Sequence, residues 1–239
     1  MSSSSVEREM AVLSVAAAAN LRHALDSIRE VYLRTNADLN LRISYGSSGT
    51  LTQQILNGAT FGLFLSADTV FPAKMAQEGI VKAGPVTYAY GKVALWSTSL
   101  DLTSGLASVL DPRVRRIAIA NPKLAPYGKY SVDALQRAGV YSSVLSKIVW
   151  GENVSQAAQF VSSGNAELGF VALASLRVPN LPVDGTVYIL SERESPPIAQ
   201  AGVVLKSSQE KEATQFLTFL LSDEITDIWT HFGYTAAQP

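Results

Sequence analysis

Four short stretches carry residue types suited to one kind of chemistry: Ala19-Asn20, Ser47-Ser48-Gly49, Ala125-Pro126-Tyr127-Gly128 and Asn153-Val154-Ser155. Each follows an apolar, strand-like run and precedes a segment with helical spacing of its apolar residues. Their side chains are small or neutral, so backbone N–H groups at the helix starts stay reachable. Such first-turn N–H groups lack intrahelical acceptors, and the helix dipole makes that end positive. A strand, a small-residue turn and a helix together form a ready anion site. Taken singly, each stretch has an ordinary reading too. Asn20 suits a helix cap, Ser47-Ser48-Gly49 a plain turn, and Tyr127 an aromatic surface cover. The repetition points further, to an anion held where four helix starts meet.

Composition removes several other chemistries. The 239 residues contain no cysteine, which excludes disulfides, thiolate metal sites and cysteine nucleophiles. His23 and His231 are far apart and show no metal-ligand spacing. Nineteen basic against twenty acidic residues give a net charge of −1, not the basic footprint of a nucleic-acid binder. Arg113, Arg115 and Arg116 follow Asp111-Pro112 and read as a solvated turn. Neither Ser47 nor Ser48 sits in a G-x-S-x-G elbow, and neither histidine pairs evidently with them, so catalysis is not expected. No apolar run approaches the ~20 residues of a membrane span.

The elements that must position these turns follow from periodicity. Val12–Ala16 is a short β-branched run fit for a buried strand, and Leu21, Ala24, Leu25, Ile28 and Val31 recur at helical spacing after it. Residues 41–46 read as a second strand, 51–58 as a short helix, and Leu63-Phe64-Leu65 as a third strand. Ser66-Ala67-Asp68 then caps a helix over 69–78. A similar set comes next, with strands at 116–120, 147–150 and 168–173 and helices after the Tyr127 and Val154 turns. Strands alternating with helices indicate an α/β fold with mostly parallel sheets. In such sheets ligands sit at the carboxyl ends of the strands, where these turns lie. Residues 1–9 read as a disordered lead, because Glu7-Arg8-Glu9 gives no positive n-region; any natural signal peptide is then absent from this sequence.

The series VAAAAN-L, YGSSGTLTQQI, NGA before LFLSAD, IANPKLAPYG and ELGFVAL resembles the ModA family of molybdate-binding proteins, in order along nearly the whole chain. SSGTL-x-x-QI and LFLSAD are its more specific pieces. The resemblance implies a type II periplasmic-binding-protein fold, two α/β lobes joined by two crossover strands with a ligand cleft between them. Lobe 1 is then 10–89 plus 201–239 and lobe 2 is 90–200, with crossovers at 86–97 and 198–205. Family ligand contacts fall on Ala19, Asn20, Ser48, Tyr127 and Val154, the last two through backbone N–H. The implied ligand is molybdate, and also tungstate, bound as an oxyanion with no cofactor and no direct cation ligands. The implied partner is an ABC permease in the inner membrane, the receptor being a periplasmic monomer.

Two alternatives stand beside it: a sulfate-type receptor, and the sensing domain of a regulator, for which ten residues before the first strand leave no helix-turn-helix. The sequence also departs from the family pattern. Ala172 stands where some members have a tyrosine hydroxyl donor, and the Asn20 amide is the expected stand-in. Gly62 replaces an aspartate that often precedes the LFIS motif.

Overall fold

The computed structural model describes residues 10–178 and 184–237, so the lead expected at 1–9 lies outside them. Strand β1 (Ala11–Ala18) buries Leu13, Val15, Ala16 and Ala17 completely. Val15 and Ala17 join the main core, while Ala16 packs on the other side with Leu51, Phe64, Met75 and Val203. Burial on both faces is why this strand reads as a continuous apolar run rather than an alternation.

The chain continues through α1 (Arg22–Thr35), β2 (Leu39–Gly46), α2 (Ser48–Leu56), β3 (Leu63–Leu65), α3 (Val70–Gln77), β4 (Val81–Gly91) and β5 (Val93–Ser97). A second run succeeds it: β6 (Ile117–Ala120), α4 (Pro126–Arg137), α5 (Tyr141–Val144), β7 (Ile148–Gly151), α6 (Val154–Ser162), β8 (Leu168–Ala172) and β9 (Thr186–Ile189). The last elements are β10 (Ile198–Leu205), α7 (Glu210–Phe219), α8 (Thr226–His231) and β11 (Thr235–Ala236).

Two sheets result, ordered β11-β4-β10-β3-β1-β2 and β7-β6-β8-β5-β9. Both are mixed, which corrects the expectation of mostly parallel sheets. β1 runs parallel to β2 and β3, and β6 to β7 and β8, while β4, β5, β9, β10 and β11 pair antiparallel. The helix-connected strands can run parallel because each crossover returns the chain to the same end. The strands that exchange sheets have no such helix.

The first exchange falls between β4 and β5, within the span expected for it. The second does not lie along 198–205: β10 belongs wholly to the first sheet, beside β4 and β3. The chain changes sheets over 190–197 instead, where Pro196-Pro197 cannot donate to a ladder. Beneath β4, Trp229 is fully buried, stacked 5.8 Å from Tyr88 and edge-on to Tyr234 at 5.3 Å.

Strand register aligns the helix starts. β1 and β2 end level at Ala18 and Gly46, and β6 and β7 end level at Ala120 and Gly151. The turns leaving each pair of strands therefore lie side by side.

Candidate functional site

The four turns meet in one small pocket between the two sheets, and Ala19, Asn20, Ser48, Tyr127 and Val154 all line it. Its remaining lining is Ala18, Gly46, Ser47, Ala67, Ala125, Pro126 and Asn153. No charged side chain is among these residues.

Each helix start arrives with donors to spare. Ser47 caps α2, its Oγ accepting from Thr50 N at 3.2 Å, which leaves Ser48 as the first helical residue. Asn153 caps α6 in the same way, Oδ1 accepting from Gln156 N at 3.0 Å, with Val154 first in the helix. Helix α4 has no side-chain cap, and Pro126 occupies its first position without an N–H, so Tyr127 presents the first donor. The fourth start is a single 3-10 turn, Ala19–Leu21, also without a side-chain cap.

Ser48 is 1% exposed, and its Oγ accepts from Ala67 N at 3.0 Å. That bond occupies an acceptor position and leaves the hydroxyl proton to donate. Ala67 was invisible as a site residue, because its share in the pocket is a contact across 19 residues rather than a local pattern. The neighbouring Asp68 stands one residue before the N-cap Thr69 of α3, its Oδ1 accepting from Phe71 N and Ser66 Oγ. Burial raises the Asp68 carboxyl above its ordinary value, against the lowering effect of those bonds.

Asn20 does not act as a helix cap. It lies inside the 3-10 turn, and α1 begins only at Arg22. Its amide donates to Gln200 Oε1 and to Tyr234 Oη, each at 2.9 Å. Both amide hydrogens are thus committed, so the amide does not replace a tyrosine donor. The reason is burial: Gln200 is 0% exposed, and a buried acceptor left unpaired is costly. What Asn20 offers the pocket is its backbone. Ala172, buried at the end of β8, is not part of the lining.

Gly62 has a structural account. A Cβ there would come 2.8 Å from Gln209 Cβ and 2.9 Å from Leu13 Cδ1. Gln209 fills the space, its Oε1 accepting from Ser14 N.

The two halves touch across the pocket mouth. Gly49 N donates to Leu124 O at 2.8 Å, and Ser155 Oγ donates to Ala19 O at 3.3 Å. This is a closed arrangement. Behind the pocket, burial lifts the Tyr88, Tyr127 and Tyr234 hydroxyls above their ordinary values, so they remain neutral hydrogen-bonding groups. Away from it, exposed Arg113 pairs with Asp111 at 2.7 Å, in keeping with a solvated turn. Among the described residues no group of His, Asp and Glu side chains is arranged to hold a metal cation.

Residues 13–235 match the family of bacterial extracellular solute-binding proteins. The molybdate-binding protein ModA of Azotobacter vinelandii is 35% identical over 229 residues, covering 95% of this chain and 90% of that protein. The chain belongs to the ModA family. ModA of Rhodobacter capsulatus is 37% identical over 193 residues, 80% of this chain and 75% of that one. The solved periplasmic molybdate-binding protein of A. vinelandii superposes with a TM-score of 0.88 at 32% identity, covering 95% of this chain and 100% of that one. The sulfate-binding protein SubI of Mycobacterium tuberculosis, at 13% identity and a TM-score of 0.79, shares the fold alone. ModA proteins are solute-binding receptors rather than enzymes. No helix among the described residues is long and apolar enough to cross a membrane.

Proposed function

We propose that this ModA-family chain captures molybdate, and also tungstate, between its two lobes and delivers it to an ABC permease from the periplasmic side of the membrane. The observation that carries this reading is the convergence of four helix or 3-10 starts on one pocket without a charged side chain. The proposed ligand groups are the backbone N–H of Asn20, Ser48, Tyr127 and Val154 together with the Ser48 hydroxyl, with Ala19 keeping the first turn open. A dianion leaves water only if many donors replace its hydration. Each hydrogen bond to an ionised group contributes roughly 1.5–3 kcal/mol, so several support tight binding. No carboxylate lines the pocket, so a protonated oxyanion such as hydrogen phosphate meets no charged acceptor for its proton. A monomeric receptor whose lobes divide where the chain changes sheets, between β4 and β5 and over 190–197, completes the proposal.

Thermal unfolding with molybdate, tungstate, sulfate and phosphate tests it. Ligand at about 100 times its dissociation constant adds roughly 2.7 kcal/mol, a rise of roughly 5–11 °C for a chain of this size. The expected rise is with molybdate and tungstate. A rise led by sulfate keeps the fold and overturns the ion assignment; no rise with any ion overturns the oxyanion site.

A further inference from the structure

Tyr127 faces two ways. Its N–H begins α4 at the pocket, while its hydroxyl reaches out of the second lobe to the strands that exchange sheets. There Gln200 on β10, fully buried, donates from Nε2 to Tyr127 Oη at 3.3 Å. The same Gln200 accepts from Asn20 Nδ2 through Oε1 at 2.9 Å. One buried amide therefore joins the residue that starts the first donor turn to the residue that starts the third. The seat is shaped for that hydroxyl: a Cβ on Gly91 would fall 2.2 Å from Tyr127 Oη and 2.4 Å from Gln200 Nε2. Tyr234 fixes the Asn20 end, its hydroxyl donating to Asn20 O at 2.8 Å while accepting from Asn20 Nδ2.

We propose that Gln200 and the Tyr127 hydroxyl form a closure bridge, which sets the spacing of the two halves of the oxyanion donor set and raises affinity without touching the ion. Asn20 and Gln200 belong to the first sheet's side and α4 to the second. The bond to Tyr127 is therefore made when the lobes close and exchanged for water when they part. A bond present in only one of two conformations shifts their equilibrium by its own free energy. The bridge makes Tyr127 and Gln200 positioning residues in their side chains, while Tyr127 binds through its backbone alone. The bridge rests on the oxyanion-receptor reading of the pocket.

The test compares wild type, Tyr127→Phe, Gln200→Met and the double variant. Molybdate affinity and dissociation rate are read by calorimetry and stopped-flow, and the midpoint of thermal unfolding is read without ligand. Tyr127→Phe keeps the backbone donor and removes only the hydroxyl. Its expected effect is a rise in Kd of about 5- to 150-fold, mostly as faster dissociation, from loss of the hydroxyl's buried hydrogen bonds to Gln200 and Tyr234. Its ligand-free midpoint stays within about 2 °C of wild type, on the scale expected for a chain of this size. The double variant loses less than the sum of the two singles, because both remove the bond between Gln200 and Tyr127. An unchanged Kd in Tyr127→Phe overturns the bridge. So does a loss of affinity matched by an equal loss of ligand-free stability, or an additive double variant. Should Gln200→Met fail to fold, Tyr127→Phe decides alone. A wild type that binds no oxyanion removes the receptor reading and the bridge with it, whereas a binding wild type with an unaffected Tyr127→Phe removes only the bridge.

Discussion

Replacing Gly49 with alanine separates the stability of the lobes from their closure, with opposite signs. Gly49 lies in the first turn of α2 without a left-handed backbone, so alanine suits its conformation. In the ligand-free, open protein the change narrows the unfolded ensemble and adds about 0.4–1 kcal/mol. That is a rise of about 1–4 °C in the unfolding midpoint. In the closed protein the new Cβ meets Leu124 Cα and Leu124 O of the other lobe, each at 2.9 Å, whereas Phe71 Cζ at 3.1 Å is a side-chain tip of the same lobe that turns aside in either state. The Leu124 atoms are backbone and cannot rotate away.

Closure must then stop short, loosening the 2.8 Å bond from Gly49 N to Leu124 O. Losing that bond costs about 0.5–1.5 kcal/mol and the overpacking about 1–3 kcal/mol. The sum corresponds to a molybdate Kd raised between about tenfold and a thousandfold. Titration calorimetry reads the affinity, and scanning calorimetry without ligand reads the midpoint. A Gly49→Ala protein with an unchanged or raised ligand-free midpoint and a Kd within about twofold of wild type, well short of even a 1 kcal/mol effect, would refute the closed geometry.

Two other substitutions probe the pocket floor. Ser48→Ala removes a donor to the ion and orphans Ala67 N, so Kd rises about 10- to 150-fold. Its ligand-free midpoint also falls, unlike that of Gly49→Ala; thermal scans with and without molybdate distinguish the two. Asp68 has its carboxyl pKa raised by burial from 3.8. Its folded state favours the protonated form, so the associated stability is fully present below about 3.8 and is lost as pH rises through the raised folded value. Asp68→Asn keeps an oxygen to accept from Phe71 N and cannot ionise. Unfolding midpoints across pH 3–7 are expected to show a flatter acid-side dependence and a higher midpoint at pH 7 than wild type.

The turns were legible in the sequence because each is a local event. A strand's apolar run, a small residue and a helical period all fit within about fifteen residues, the scale on which periodicity speaks. Ser47, Asn153 and Pro126 occupy the helix-start positions that their chemistry favours. Asn20 shows where such reading stops. Asparagine suits a helix cap, but Asn20 caps nothing, because its amide is claimed by Gln200 and Tyr234, which lie 180 and 214 residues away in sequence. Ala67 and Gln200 carry no local signal either, since one acts through a backbone N–H and the other resembles any polar residue in a strand. The mixed sheets escaped for a related reason: strand direction across a lobe crossing depends on which end of the sheet the chain returns to, not on residue type.

Strand β10 occupies the gap between β3 and β4, and it arrives more than a hundred residues after β4 ends. As the chain emerges from its N-terminal end, the second sheet can be completed while the first still has open edges. β3 and β4 then wait with the edges that face each other unpaired, the kind of surface that seeds wrong pairings. The closing bond of the whole molecule is thus a late, long-range one, which slows folding relative to a lobe built from contiguous sequence. Moving the segment 198–237 ahead of residue 11 by circular permutation would let the first sheet fill in sequence order, and would turn the slow assembly of this receptor into two ordinary local ones.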